Sequence, residues 1–389
     1  MNCGFCTWYV KCPGRNVCVD CQVCFQGCPN EAIFRVEDYE PRKYVKIRIG
    51  SESFEIPERI TLKRALELLG FRFSKIPEEG KIYAPCETGG CYACAVLVNG
   101  VPRPLCTTPV ENGMSIELDA DFKPIRLVSG FTPHPVGGVG TPWRLKNTGR
   151  YIEVACFAHG CNFRCPQCQN WVITYGNNYD PMGPEEAARE LTLYRRLYGV
   201  DRMAISGGEP TLNRKWLIEF FKELRRLNRD ESARLHLDTN TSMLSREYID
   251  ELIEAGVTDI GADIKALKVE TFMIVTGIKD RKLAEYYLSN AWSAIKYIVD
   301  EYRGKVFLGI GIPYNSAWMT DEELYEMGCK IAELDPEIQV CVLDYRPEFR
   351  RRDLKWPSYD EMKKAKKVLE DSGLRVVIAQ TRLGHIGPG

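Results

Sequence analysis

A chain of 389 residues with 44% hydrophobic and 27% charged side chains is long enough for two or three folding units, each with a core. Its formal net charge of −1 gives no global electrostatic reason to expect nucleic acid or an anionic membrane as partner. The opening segment MNCGFCTWYVKCPG lacks the charged and apolar regions of a secretion signal. No apolar run approaches the roughly 18 residues that span a bilayer, so the expected location is cytoplasmic.

Cysteine is the unusual component, at 17 against 4 histidines. Fifteen of them lie at or before Cys168, in three groups. A disulfide scaffold would be short and carry a signal; in a reducing compartment such groups hold metal.

Residues 1–42 form a cysteine-rich arm. Cys18, Cys21, Cys24 and Cys28 read C-x2-C-x2-C-x3-C-P, the bacterial ferredoxin run, whose fourth cysteine serves the other cluster of a pair. Upstream, Cys3, Cys6 and Cys12 look like a shortened copy, with Tyr9 where a third cysteine would stand. On that logic Cys12 joins Cys18, Cys21 and Cys24 around one 4Fe–4S cluster, and Cys3, Cys6 and Cys28 hold a second. The alternative is one cluster, with zinc or nothing upstream.

Residues 43–120 read as a small β-grasp domain. A strand–turn–strand at KYVKIRIGSESFEI leads into a helix at TLKRALELLG, with Thr61 as N-cap and Gly70 just past its end, and strands follow at CAVLVNG and MSIELD. Cys86, Cys91 and Cys94 form C-x4-C-x2-C, with Cys106 as a fourth ligand, the leading spacing of plant-type 2Fe–2S ferredoxins. Gly89 and Gly90 would let this loop fold over the cluster. Zinc is the competing occupant. The surrounding CYACAVLVNG and PLCTTPVENGM resemble the 2Fe–2S domains of molybdenum hydroxylases, complex I and iron-only hydrogenases.

Residues 121–149 read as a Pro- and Gly-rich connector, long enough to lie ordered across a neighbouring surface. From 150 to 389, seven candidate strands (YIEVACF, RMAIS, RLHLD, TDIGADI, KVFLGIGI, IQVCVLD and LRVVIAQ) alternate with amphipathic helices. One of these, TDEELYEMGCKIAEL, places Thr320 and Glu323 as a capping box. Repeated βα units predict an α/β fold with a parallel sheet partly closed into a TIM-like barrel.

The first of these strands runs into HGCNFRCPQCQN, where Cys161, Cys165 and Cys168 form C-x3-C-x2-C. Three thiolates hold three irons of a 4Fe–4S cluster and leave the fourth open; the competing reading is zinc, completed by His159 or Cys156. Ser206-Gly207-Gly208-Glu209-Pro210 follows the second strand, with Glu209 able to accept from an ammonium group. Asp238, Thr239 and Asn240 end the third strand, Asp263 and Lys265 the fourth, Pro313 follows the fifth and Asp344 ends the sixth. All stand at the strands' carboxyl ends, where barrel enzymes keep their active sites. His385 could reach that mouth from the last strand or be structural. Cys156, Cys329 and Cys341 read as core, and the run FRRRDLK as a solvated loop.

GCNFRCPQCQN, SGGEP, HLDTN and DIK together resemble the radical S-adenosylmethionine (SAM) superfamily, and within it the activating enzymes of glycyl radical enzymes. The resemblance implies that Cys161, Cys165 and Cys168 ligate the cluster, and that SAM chelates its open iron with its amino group held by Gly207-Gly208-Glu209. Asp238, Thr239 and Asp263 would form a monovalent-cation site, with Lys265 near the cofactor. The position before the third cysteine, usually aromatic in the family, is Gln167. The implied activity is reductive cleavage of SAM to a 5′-deoxyadenosyl radical that abstracts hydrogen, on a glycine of a partner protein or on a peptide, small molecule or RNA. The arm and 2Fe–2S clusters would relay electrons from an external low-potential donor. An electron carrier without radical chemistry is the reading from a different class.

Overall fold

A computed structural model describes residues 4–12, 14, 17–146 and 150–389. Cys3, expected in the second arm cluster, lies outside them. The described residues of the arm include the short helices α1 (Phe5–Trp8) and α2 (Val23–Gly27), pinned to the rest of the chain by the buried Phe5 and Val23.

The next unit is a five-stranded sheet. Its hairpin β1 (Tyr44–Ile49) and β2 (Glu52–Pro57) leads to α3 (Leu62–Leu68), where Thr61 accepts from the Arg64 amide at 3.2 Å and Gly70, at φ 91°, ends the helix as expected. A two-stranded parallel ladder, β3 (Phe73–Ser74) with β4 (Ile82–Tyr83), stands apart from the sheet. Then follow β5 (Ala95–Val98), β6 (Val101–Pro104) and β7 (Met114–Glu117). The order β2-β1-β7-β5-β6, with β1 parallel to β7, is the β-grasp arrangement, and α3 buries Leu62, Ala65 and Leu66 against Ile47, Ile56 and Ile116.

The large unit holds a nine-stranded sheet among the described residues. In chain order it comprises β8 (Val128–His134), β9 (Glu153–Ala158), α4 (Trp171–Tyr175), α5 (Pro184–Tyr198), β10 (Arg202–Gly207), α6 (Arg214–Leu227), β11 (Arg234–Thr239) and α7 (Arg246–Glu254). It continues with β12 (Asp259–Asp263), α8 (Val269–Thr276), α9 (Arg281–Tyr302), β13 (Phe307–Tyr314), α10 (Asp321–Leu334), β14 (Gln339–Asp344), α11 (Tyr359–Asp371), β15 (Val377–Thr381) and β16 (Gly384–Ile386). All seven expected strands form, β9 to β15, each parallel to the next. Antiparallel β8 and β16 occupy the two edges, so the sheet is a partial TIM-like β/α barrel. The helices cover its outside through apolar stripes: α6 buries Trp216, Leu217, Phe220, Phe221 and Leu224 at helical spacing.

The connector is more than a linker. It supplies β8, which pairs with β9, and then enters the barrel. There Gly138, Val139 and Gly140 pass so close to the inner wall that an added Cβ on Gly309 would stand 2.2 Å from the Val139 carbonyl oxygen, and one on Gly261 2.7 Å from the Gly140 nitrogen. Wall glycines thus make room for a plug of backbone. Among the described residues, no helix is long and apolar enough to cross a membrane.

Candidate active site and cluster loops

β9 delivers the chain to the cysteine loop at the barrel mouth. Arg164 is anchored by its amide to the Thr276 carbonyl at 2.8 Å, the Cys168 amide turns back to the Cys165 carbonyl at 3.2 Å, and Phe163 packs edge-on against Phe272. Burial pushes the Cys161, Cys165 and Cys168 thiols all up, Cys165 to about 12; neighbouring cysteine charge adds to this at Cys161 and Cys165, while the Thr174 hydroxyl works against it at Cys168. Three sulfurs that repel as thiolates in one small volume suit a cationic cluster that takes all three. The candidate fourth ligands of a zinc site are both engaged elsewhere. His159 has Nδ1 2.9 Å from the Gly176 carbonyl and Nε2 2.7 Å from Ser129 Oγ, and Cys156 is buried in the barrel core. Among the described residues, no three His, Cys, Asp or Glu groups are set to hold a single metal ion.

Ser206, Gly207, Gly208, Asp238, Thr239, Asn240, Asp263 and Lys265 line one cavity of about 710 Å³ with the three cysteines, at the carboxyl ends of the strands. Glu209 is the exception. Its fully buried carboxylate accepts from the Thr211 amide (3.1 Å) and hydroxyl (2.6 Å), the Thr239 hydroxyl (2.7 Å) and the Asn240 amide (2.7 Å). It thereby ties the loops after β10 and β11 together, three donors falling on Oε1 and one on Oε2. Gly207 and Gly208 are needed for protein contacts as well, since a Cβ on Gly208 would lie 2.2 Å from the Gly160 carbonyl oxygen. Gln167 is buried against the Val275 carbonyl (2.8 Å) rather than lining the cavity.

The two acids expected to bind a monovalent cation each face a side-chain cation. Asp238 Oδ1 lies 3.0 Å from His236 Nε2, whose Nδ1 is 3.1 Å from Glu153, and Asp263 lies 2.9 Å from Lys265 Nζ. Burial works against the imidazolium, but the Asp238 and Glu153 carboxylates outweigh it and hold His236 up at about 9. Lys265 is held well above its ordinary value by Asp263 in the same way. On the far side the cavity reaches Tyr345, Arg346, Gln380, Thr381 and His385; burial lowers the His385 imidazole to about 4. Asp344 instead turns into the structure, accepting from Trp356 Nε1 at 2.8 Å, and Pro313 lies within β13 rather than after it.

Cys86, Cys91, Cys94 and Cys106 are all buried, with Cys86 and Cys91 Sγ atoms 3.0 Å apart and Cys106 beside Cys86 and Cys94. The loop bends through left-handed residues Glu87, Gly89 and Tyr92. Its glycines serve packing beyond the loop: a Cβ on Gly89 would meet Thr107 Oγ1 at 2.6 Å, and one on Gly90 the Gly160 nitrogen at 2.7 Å. In the arm, Cys12, Cys18, Cys21 and Cys24 stand within electrostatic reach of one another, and burial first, then this neighbourhood, pushes Cys21 to about 11. Cys28 Sγ accepts from the Ala32 amide at 3.4 Å, and Cys6 packs with Cys21, Cys24 and Cys168 around Phe5 and Val23.

Two residues with no motif signal hold the site. Arg126, buried in the connector, donates to the Pro210, Glu209 and His159 carbonyls, and Arg164 joins the cysteine loops. Neither spacing nor periodicity marks them, because the segments they bridge are distant in sequence.

Residues 156–327 match the family described as the Radical SAM superfamily, and residues 42–121 the 2Fe–2S iron–sulfur cluster binding domain. Among curated proteins, an uncharacterized iron–sulfur protein of Methanocaldococcus jannaschii is 43% identical over 19% of this chain and 15% of its own length. A probable GTP 3′,8-cyclase of Methanococcus aeolicus is 26% identical over 46% of this chain and 63% of its own. The chain thus matches less than two thirds of either relative. Among solved structures, coproporphyrinogen III oxidase from Escherichia coli aligns with a TM-score of 0.40 and 18% identity, over 60% of this chain and 54% of that one.

Proposed function

We propose that this chain, which carries a radical SAM domain over residues 156–327 and a 2Fe–2S ferredoxin domain over residues 42–121, cleaves SAM reductively with electrons relayed by its own auxiliary clusters. The observation that carries this reading is the shared cavity: the three cysteines of the C-x3-C-x2-C loop open onto the same space as the carboxyl ends of β10, β11 and β12. Cys161, Cys165 and Cys168 would hold a 4Fe–4S cluster with one open iron, and Ser206-Gly207-Gly208, Thr239, Asn240, Asp263 and Lys265 would surround SAM. When bound, the pair supplies a 5′-deoxyadenosyl radical for hydrogen abstraction. Cys86, Cys91, Cys94 and Cys106 would hold the 2Fe–2S cluster, and Cys12, Cys18, Cys21 and Cys24 a 4Fe–4S cluster fed by an external low-potential donor. A second arm cluster would draw on Cys3, Cys6 and Cys28.

For the substrate, the DTN and DIK segments favour a glycine of a partner protein, the activase reading. In that reading a monovalent cation joins Asp238 and Asp263, beside the His236 and Lys265 charges that already face them. A second reading, radical modification of a small molecule, is favoured by the extension of the cavity to Tyr345, Arg346 and His385, beyond the residues assigned to SAM.

The test is 5′-deoxyadenosine formation by anaerobically reconstituted protein given reductant and SAM, beside Cys165→Ala. Formation that depends on Cys165 is expected. No cleavage by protein with its full iron content would sink the radical reading and leave an electron carrier. A glycine-centred radical on an added protein, seen by electron paramagnetic resonance (EPR), separates the activase from the small-molecule enzyme.

A further inference from the structure

Arg164 lies inside the C-x3-C-x2-C loop, where the spacing calls for no ligand, yet its guanidinium touches all three cysteine-rich segments. One terminal nitrogen donates to the Cys161 and Phe163 carbonyls, each at 2.8 Å. The other donates to the Cys86 carbonyl of the 2Fe–2S loop. The Nε–H donates at 2.8 Å to the side chain of Gln26, which lies between Cys24 and Cys28 of the arm. The guanidinium carbon sits 5.9 Å from the ring centre of Tyr175, itself packed against Phe349.

The two loops that share this cation also touch directly. A Cβ on Gly160, the residue before Cys161, would stand 3.0 Å from the Cys91 nitrogen and 3.2 Å from Cys86 Sγ. The contact is closed on its other sides by short links. The Leu127 amide reaches the Gly90 carbonyl and the His159 amide the Leu127 carbonyl, both at 3.0 Å. Thr88 donates at 3.2 Å to the Thr174 carbonyl, and the Thr174 hydroxyl is 3.6 Å from Cys168 Sγ. One residue of backbone therefore separates a ligand of one candidate cluster from a ligand of the other.

We propose that Arg164 is the redox junction of the molecule: a positioning residue that clamps the Cys86 and Cys161 loops together across Gly160 and stabilises the electron added to the barrel cluster. The inference rests on the cluster assignments proposed above. In the step it serves, one electron leaves the reduced 2Fe–2S cluster, which is oxidised, and reduces the barrel cluster by one. No bond is made or broken, and a low-potential one-electron reductant restores the 2Fe–2S cluster. A fixed positive charge hydrogen-bonded to both loops favours the reduced form, while the fork of donors sets the distance between them.

The experiment uses the full chain, reconstituted with iron and sulfide, as wild type, Arg164→Gln and Arg164→Lys. Each is poised at the wild-type midpoint of the barrel cluster, and its reduced fraction is read by EPR. Arrival of the electron at that cluster is then followed by freeze-quench after mixing with dithionite. With iron content unchanged, the reduced-to-oxidised ratio of the barrel cluster in Arg164→Gln is expected to fall about tenfold, through the loss of one neighbouring positive charge. Arg164→Lys, which keeps the charge and loses the fork, is expected to recover that ratio but not the transfer rate. An iron-loaded Arg164→Gln matching wild type in both readouts overturns the inference. If that variant loads no iron, a loaded Arg164→Lys with wild-type transfer overturns it. A wild type that takes up no 2Fe–2S cluster defeats the underlying assignment instead, and is seen before any variant is compared.

Discussion

His236 is buried with a carboxylate facing each ring nitrogen, and its charge is a debt of the folded state that Asp238 and Glu153 settle. Its folded value near 9 stands above the ordinary 6.5 of an unfolded imidazole. The stabilisation it brings is therefore complete below about pH 6.5, declines as pH rises, and is gone above about pH 9. Urea unfolding across that window should show the wild type losing stability with rising pH, and His236→Gln, neutral throughout, should flatten the slope. A variant with an unchanged slope would mean the imidazole is not protonated in the fold. Glu209 illustrates the opposite outcome for a buried acid. Burial pushes its carboxyl up, and four donors supplied by two loops offset much of that cost.

At the scale of elements, helices and loops are fastened by side chains borrowed from neighbours. The Thr320–Glu323 capping box forms only by half: Thr320 accepts from the Glu323 amide at 3.2 Å, as expected, but the Glu323 carboxylate does not return. It accepts instead from the Leu267 and Lys268 amides and the Thr271 hydroxyl, supplying the cap that α8 lacks from its own N-cap Lys268. The plug formed by residues 138–140 depends on its wall in the same manner. Gly309→Ala would set a methyl against the Val139 carbonyl, and overpacking of this kind costs about 1–3 kcal/mol. Thermal melting should drop accordingly, and proteolysis should quicken around residues 136–146 as the segment is pushed out. A variant with an unchanged melt and cleavage pattern would show that the plug yields freely.

For the whole molecule, the cysteine loop after β9 is the meeting point of three units. The β-grasp domain reaches it through Gly90 and Cys86, the connector through Arg126, and the arm through an aromatic stack. In that stack Phe349 lies between Trp171 and Tyr175, each 5.4 Å away, while Phe5 packs 5.0 Å from Trp171. Phe349→Ala removes the central ring at a cost of about 3–5 kcal/mol if the gap cannot collapse. Limited proteolysis should then cut the arm faster while the far-ultraviolet circular dichroism of the barrel persists. Equal protection of the arm in variant and wild type would place its attachment elsewhere.

What the sequence by itself determined is what local chemistry and periodicity encode. The seven parallel strands, the β-grasp order with its Thr61 cap, and the polar residues gathered at the carboxyl ends of β10, β11 and β12 all follow from alternation, turn residues and motif spacing. Tertiary structure alone decided which way each side chain is spent. Glu209 turns to Thr239 and Asn240, and His236 meets Glu153 of β9. The connector becomes a strand and a plug, and Arg164 spans loops 78 and 138 residues away. The physical reason is common to all of these: a charge or a glycine has no direction in one dimension, and its partner is fixed only when the packed sheet brings remote backbone within hydrogen-bond reach.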